Sequence, residues 1–323
     1  MEVGFVEEII IGVDIGGTAI KIGFITRHGQ MKQKWEIPTN KENHGESIVE
    51  DIWESITQTL SKIEDENTVI GIGVGAPGFI EQERGFIYEA VNIGWKNFNL
   101  RDELHKLSGL PVFIDNDANL AALGENWQGS GNNSKDVILI TLGTGVGGGI
   151  IANGEILNGV NGTAGEIGHI IAEPNGYKCN CGRVGCLDVT ASATGFVQRA
   201  MDRIEEYPDS ALATYYHSHG QIEAKDIFDL SKEGDQVCEE VINQITDILG
   251  YVIANTATII NPSKVLIGGG VSNAGEQLLE KVAKYFRKYA LPRISDSCEV
   301  KLAQLGNDAG MIGAAYLVDK NLK

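Results

Sequence analysis

The chain has 323 residues, 42% of them hydrophobic, and 44 acidic against 26 basic side chains give a formal net charge of −18. That length exceeds what one hydrophobic core usually organises, so two lobes or domains are expected. The charge argues against a nucleic-acid or anionic-membrane surface, and no apolar run reaches bilayer length. The glutamates of MEVGFVEEIII stand where a signal peptide carries basic residues, which predicts a cytosolic protein.

In chain order, Glu8 to Asp14 reads as a buried strand running into a glycine turn and a second strand that ends at His28-Gly29. Met31 to Ile37 completes a meander. Ile48, Ile52, Ile56, Leu60 and Ile63 recur at helical spacing and predict an amphipathic helix from Gly45 to Ile63. A strand from Val69 to Gly75 is broken by Ala76-Pro77-Gly78, and a polar and aromatic loop then runs to Trp95. A short helix (Leu100 to Leu107), a strand (Val112 to Asp115) and the helix DANLAALGENW follow. The second half reads as strands at Val137 to Leu142, Gly149 to Ala152, Lys264 to Ile267 and Glu299 to Leu305, with helices from Glu239 to Ile260, Glu276 to Tyr289 and Asp308 onward.

IIIGVDIGGTAIKIGFITRHGQ and VILITLGTGVGGGIIANGEIL share one order of strand, glycine turn, strand and hairpin, so the chain contains an internal repeat. An α/β fold of two similar halves, each with a Gly-rich turn at a strand end, predicts a cleft where both turns face one phosphate chain. Asp14-x-Gly16-Gly17-Thr18 fits such a turn: the glycines let backbone N–H groups converge on anionic oxygens, Thr18 adds a hydroxyl, and Asp14 suits Mg²⁺ held through water. Gly143 and Thr144 open the second turn. A tight hairpin is the plainer reading of either turn alone. Gly268-Gly269-Gly270 closes a strand and either offers bare backbone to a base or ribose or simply turns the chain into a helix. Asp115-Asn116-Asp117-Ala118-Asn119 lies at another strand end. Capping the next helix is the commonest use of such a residue, yet the position also suits a general base, and Asp117 is the favoured one with Asn116 as its hydrogen-bonding neighbour.

From Gly162 to Asp188 the sequence GTAGEIGHIIAEPNGYKCNCGRVGCLD sets His169, Cys179, Cys181 and Cys186 in an H-x9-C-x-C-x4-C pattern. Three thiolates and one imidazole suit tetrahedral Zn²⁺, and four protein ligands leave no open position, which predicts a structural metal. Buried small residues or a redox pair are the alternatives, but three cysteines in eight residues among Gly and Asn do not look like core packing. Glu166, in a turn bracketed by Gly165 and Gly168, lies three residues before His169 and can approach a small polar ligand.

With these pieces in place, the sequence resembles the ROK family of sugar kinases and repressors, and within it the ATP-dependent glucokinases. The resemblance is carried by D-I-G-G-T-A-I-K (14 to 21), G-A-P-G (75 to 78), I-D-N-D-A-N (114 to 119), L-G-T-G-V-G-G-G (142 to 149), G-E-I-G-H (165 to 169), C-N-C-G-R-V-G-C-L-D (179 to 188) and I-G-G-G-V-S (267 to 272). It implies a duplicated actin-like, ribonuclease H-like ATPase fold with two lobes around a nucleotide and sugar cleft. The expected lobes are residues 1–116, with a final helix from about 306 to 323 packing back on it, and 117–305 with the zinc loop. The implied reaction is transfer of a phosphoryl group from ATP-Mg²⁺ to the 6-hydroxyl of glucose, with Asp117 as base. Asn92, Asn116, Glu166, His169 and Asp188 would bind the other hydroxyls, Gly16, Gly17, Thr18, Gly143 and Thr144 the phosphates, and Gly269 and Gly270 the adenosine. The family usually has Glu where this chain has Asp188, so sugar binding is expected to be weaker there. A homodimer is implied, with no nucleic-acid or membrane partner. Another hexose and a sugar-sensing regulator are the competing readings. The regulators carry a basic winged-helix segment ahead of the first strand, where this sequence has about eight residues.

Overall fold

A computed structural model describes residues 7–62 and 68–323; Ile63, expected to close the first helix, lies outside the described residues. The chain divides into two compact units, Met1–Asn133 with Ile156–Ala164 and Asn307–Lys323, and Ser134–Glu155 with Gly165–Gly306. Each is described by itself.

The first unit is built on β1 (Glu8–Ile15), β2 (Ala19–Thr26), β3 (Met31–Pro38), β4 (Thr68–Ala76) and β8 (Val112–Asn116), in the order β3-β2-β1-β4-β8. The meander β1-β2-β3 is antiparallel, while β1, β4 and β8 run parallel. Alternation along β1 decides its two faces. Ile9, Ile11, Val13 and Ile15 join a core with Ile48, Ile52 and Ile56 of α1 (Ile48–Leu60). On the opposite face Ile10 packs with Met311, Ala315 and Val318 of the C-terminal helix (Ala309–Asn321).

That helix lies against bare backbone. Gly12 and Gly73 are register partners on β1 and β4, and a Cβ on them would stand 2.2 Å from the Met311 carbonyl oxygen and 2.0 Å from that of Ala314. The same helix crosses α3 (Asp117–Gln128), where a Cβ on Gly124 would meet the Ala309 oxygen at 2.1 Å and one on Gly313 the Leu120 oxygen at 1.7 Å. This crossing moves the expected boundary at 116/117: α3 belongs to the first unit because its backbone is interlocked with a helix of that unit. The stretch expected to be a loop up to Trp95 also differs. It forms an antiparallel sheet of β5 (Phe79–Glu81), β6 (Phe86–Ala90) and β7 (Trp95–Asn99), followed by α2 (Leu100–Ser108). These strands are short, and β5 slips register between Phe79 and Ile80, so no steady alternation marks them.

In the second unit β9 (Val137–Leu142), β10 (Val146–Ala152), β11 (Glu155–Ile156), β12 (Lys264–Gly268) and β13 (Glu299–Leu302) are ordered β11-β10-β9-β12-β13, with β9 and β10 antiparallel and β9, β12 and β13 parallel. This is the strand plan of the first sheet, as the internal repeat predicts. β10 starts at Val146 rather than Gly149, because backbone pairing with β9 needs no side chain. β13 ends at Leu302, short of the expected Leu305. Helices unread in the sequence fill residues 187–232: α4 (Leu187–Ala191), α5 (Ala193–Glu206), α6 (Ala211–His219) and α7 (Ala224–Lys232). The long α8 (Gln236–Ile260) packs on α9 (Glu276–Tyr289), with α10 (Pro292–Ser295) after it. Among the described residues no helix is long and apolar enough to cross a membrane.

The helix crossing yields a stability test. Gly313→Ala improves helix propensity by about 1 kcal/mol. It also drives a methyl into the Leu120 carbonyl, and such overpacking costs typically about 1–3 kcal/mol. We expect a net loss, read as a lower melting temperature; a higher one would refute the backbone contact.

Candidate active site

In the first unit the sheet brings three strand ends into line. Asp14 of β1 is the register partner of Gly75 on β4, and Gly75 is the partner of Asp115 on β8. Carboxyl ends of parallel strands are where open α/β sheets bind ligands. A Cβ on Gly75 would lie 3.3 Å from Leu120 Cδ1, 3.5 Å from Asp14 Oδ1 and 3.6 Å from Asp117 Cα, so the candidate Mg²⁺ residue and the candidate base both border this glycine. Burial raises the Asp14 pKa above the ordinary carboxylate value, and Lys21, 3.9 Å away, opposes the shift.

The cap of α3 is Asn116, whose Oδ1 accepts from the N–H groups of Ala118 (2.9 Å) and Asn119 (3.3 Å), while its Nδ2 donates to the Gly78 carbonyl at 3.3 Å. The alternative weighed for Asp117, a helix cap, is thus filled by its neighbour. Asp117 opens the helix, with Oδ1 accepting from Ala118 N–H at 2.8 Å. The first glycine turn is tied shut. Gly16 N–H donates to the Ala19 carbonyl at 3.0 Å, and Asn92 faces Gly17, whose Cβ would stand 3.7 Å from that of Asn92. Asp14, Gly16, Gly17, Thr18, Asn116 and Asp117 therefore gather at one end of one sheet, and Asn92, on the turn between β6 and β7, approaches it at Gly17.

In the second unit Gly143 and Thr144 follow β9, and Gly269 and Gly270 follow β12, its parallel neighbour. Gly269 has φ +81°, and a Cβ there would stand 2.5 Å from the Leu142 carbonyl oxygen, whereas nothing lies within 4 Å of one on Gly270. The N-terminus of α5 closes on the turn: Ala193 N–H donates to the Gly143 carbonyl (2.8 Å) and Thr194 Oγ1 to that of Thr144 (2.9 Å). Beside them is a largely apolar cavity of about 610 Å³, lined by Thr144 and Gly270 together with Thr194, Val197, Ile222, Phe228, Val271 and Asn273. Its size and lining are those of a small-molecule pocket. Sequence reasoning singled out only Thr144 and Gly270 among these; Val271 lies inside its I-G-G-G-V-S motif without a role, and Thr194, Val197, Ile222, Phe228 and Asn273 come from helices and turns with no motif.

The zinc-type cluster forms as expected. The ligand atoms of His169, Cys179, Cys181 and Cys186 all lie within 4.8 Å of one another. Cys181 Sγ and Cys186 Sγ are 3.6 Å apart, and Cys179 Sγ is 3.9 Å from His169 Nδ1. A tetrahedron of zinc–thiolate bonds has edges of about 3.8 Å, so the donors fit the metal in number, type and spacing. A hydrogen bond from Arg183 lowers the Cys181 pKa to about 6, and burial pushes that of Cys186 up to about 12. The other imidazole nitrogen, Nε2, is 4.0 Å from Glu166 Oε2.

Asp188 bridges this loop to the second glycine turn. Its Oδ1 accepts from Val146 N–H at 2.7 Å, its Oδ2 is 4.0 Å from Cys179 Sγ, and a Cβ on Gly145 would collide with Oδ1 at 2.4 Å. A further buried group absent from the sequence reading is the network around Asp115. Its Oδ1 accepts from Asn119 Nδ2 (3.0 Å) and Asn116 N–H (2.6 Å), and Asn158 Oδ1 accepts from Gln82 Nε2 (2.8 Å). Burial raises the Asp115 pKa, while hydrogen bonds from Asn119, Asn116 and Gln82 oppose it. Asp115 is thus held by the fold, and Asp117, the candidate base, lies two residues on at the start of α3.

Comparison with known proteins agrees with this geometry. The ROK family sequence profile matches residues 10–321. A glucokinase of Halalkalibacterium halodurans is 52% identical over 95% of this chain and 94% of its own. The ROK family glucokinase of Streptomyces griseus, solved in complex with glucose and AMPPNP, is 35% identical, with a TM-score of 0.78 over 96% of this chain and 98% of that one. The ROK hexokinase of Thermus thermophilus is 30% identical, with a TM-score of 0.82 over 97% and 99%. With the profile spanning nearly its whole length and a relative identical at half its positions, the chain belongs to the ROK family.

Proposed function

We propose that the protein is an ATP-dependent glucokinase, transferring the terminal phosphoryl group of ATP to the 6-hydroxyl of glucose to give glucose 6-phosphate and ADP. The observation that carries this reading is the line of strand ends in the first unit. It places Asp117, relieved of capping by Asn116, next to the Asp14–Thr18 turn across Gly75. The relative solved with glucose and AMPPNP supports the choice of substrates.

In this mechanism the oxygen of the sugar 6-hydroxyl attacks the terminal phosphorus, its proton passes to an Asp117 oxygen, and the bond to the departing ADP oxygen breaks. Asn92, Asn116, Glu166, His169 and Asp188 hold the remaining hydroxyls. Gly17, Thr18 and Thr144 supply backbone and hydroxyl donors to the phosphates, while Gly16 and Gly143, whose N–H groups are bonded within their own turns, let the phosphates approach bare backbone. Gly269, Gly270 and the apolar cavity beside them take the adenosine. Mg²⁺, held through water by Asp14, would neutralise phosphate charge. Zn²⁺ on His169, Cys179, Cys181 and Cys186 would brace the loop. His169 would meet that metal through Nδ1 and the sugar through Nε2, so loop and sugar site share one side chain. Asp188 accepts from Val146 N–H through Oδ1, and its other oxygen, Oδ2, is the one proposed to accept from a sugar hydroxyl. A homodimer and a cytoplasmic location are the matching proposals for assembly and compartment, supported by the family resemblance.

Coupled ADP release across a panel of hexoses tests the substrate: glucose is expected to give the highest kcat/KM, and a different hexose or an N-acetylated amino sugar in first place would overturn it. Asp117→Asn should lower kcat by about 10²–10⁴-fold with little change in glucose affinity, since the amide still hydrogen-bonds but cannot take a proton. Near-normal turnover in that variant would remove Asp117 as the base. Metal analysis should find about one zinc per chain in the purified protein, lost in Cys179→Ser and Cys186→Ser together with glucose binding. Zinc-free protein with full activity would show the metal to be dispensable.

A further inference from the structure

Lys41 is an exposed cation close to the first glycine turn. Among the described residues it enters no ion pair or hydrogen bond, yet its Nζ lies 3.9 Å from where a Cβ on Gly17 would stand, beside the Cβ of Asn92 at 3.7 Å from the same point. The unpartnered ammonium therefore sits over the first glycine turn, on the side where Asn92 approaches it. Its sequence neighbour Glu42 does not capture it; the Glu42 N–H is bonded to Asn40 Oδ1 at 3.0 Å.

The loop that carries Lys41 is fastened at both ends. Before it, Thr39 N–H donates to the Thr18 carbonyl at 3.0 Å and Thr39 Oγ1 to the Gly16 carbonyl at 2.7 Å, so the loop starts on the phosphate turn itself. After it, Asn43, His44 and Gly45 all have positive φ, at 49°, 60° and 73°. Two of these are not glycines, and such a run persists only where the surroundings hold it. Here Trp95 Nε1 donates to the Gly45 carbonyl at 3.0 Å, and a Cβ on Gly45 would meet the Ile93 carbonyl oxygen at 2.7 Å. Ile93 lies on the turn that carries Asn92, and Trp95 begins the strand that follows it. The chain between Thr39 and Gly45 thus spans from phosphate residues to a sugar residue, with Lys41 over the gap.

We propose that Lys41 is a phosphoryl-binding residue, its ammonium donating to a non-bridging oxygen of the group in transfer. The proposal rests on the kinase reading above. During the step the bond from phosphorus to the ADP oxygen breaks, the bond to the sugar 6-oxygen forms, and the proton of the hydroxyl goes to Asp117. Lys41 stays protonated throughout and follows the phosphoryl from donor to product. A positive charge at that place opposes the field of a chain with formal net charge −18, which otherwise repels both the nucleotide and the sugar phosphate.

The test compares wild type with Lys41→Met and Lys41→Arg. In Lys41→Met we expect kcat to fall about tenfold to hundredfold, inhibition by glucose 6-phosphate to weaken about tenfold, and the glucose KM to stay within about twofold. Lys41→Arg should recover most of both losses, because it keeps the charge. A purely structural role would instead lower the melting temperature of Lys41→Met and leave product inhibition unchanged. Normal kcat and normal product inhibition in Lys41→Met, or equal defects in the Met and Arg variants, would overturn the proposal. Calorimetric titration of inorganic pyrophosphate reads the same contact without turnover, with binding expected to be about tenfold weaker in Lys41→Met. If wild type phosphorylates no sugar, the kinase reading fails, and equal pyrophosphate binding by the two proteins would then dismiss Lys41 as well.

Discussion

The first unit depends on the approach of the C-terminal helix to bare sheet backbone. Gly12 and Gly73, paired across β1 and β4, leave room for the carbonyls of Met311 and Ala314. The same helix passes over Asp14, where a Cβ on Gly310 would meet its carboxyl carbon at 2.8 Å, and interlocks with α3 through Gly124 and Gly313. The last helix of the chain therefore presses on the carboxylate of the first glycine turn and on the helix that begins with Asp117. Residues separated by roughly three hundred positions in sequence share one packed layer. Such layers tolerate little change of volume.

The second unit achieves similar coupling with polar groups. Asp188 joins the turn at Val146 to the loop that carries Cys179, and the cap residue Ser192 leads into α5, whose first residues bond back to Gly143 and Thr144. The zinc-type loop and the glycine turn are therefore neighbours by construction. The departure from the family's usual Glu has a local meaning here. The shorter Asp188 side chain fits against Gly145, and its Oδ1 receives a backbone N–H, so this carboxylate holds the turn.

Charge shapes the rest. In the proposed reaction an acidic chain has to hold anionic substrates, and the donors proposed for them are the N–H groups of the two glycine turns, which carry no net charge and no flexible side chain. Lys41 is the exception, a full charge placed over one of those turns by a loop tied down at Thr39 and Gly45.

Much of this was legible in the sequence. A buried apolar run located β1 and a period-3.6 pattern α1, the repeat of strand, glycine turn and strand foretold two sheets of one plan, and the soft-ligand spacing from His169 to Cys186 announced a cluster of four metal-type donors. These signals are local, since a strand face, a helix face and a thiol triplet are each written within a few residues. Tertiary structure alone decided the others. That α3 belongs with the first unit depends on glycines of two distant helices meeting. That Asn116 caps α3 depends on backbone angles at its start, and the cavity lined by Val197, Ile222 and Phe228 exists only once α5, α7 and the turn after β12 are assembled. Lys41 has no motif, and its meaning comes from standing over Gly17. Sequence determines what a segment can do by itself; which segments lie within a few ångströms of each other is decided by packing the whole unit.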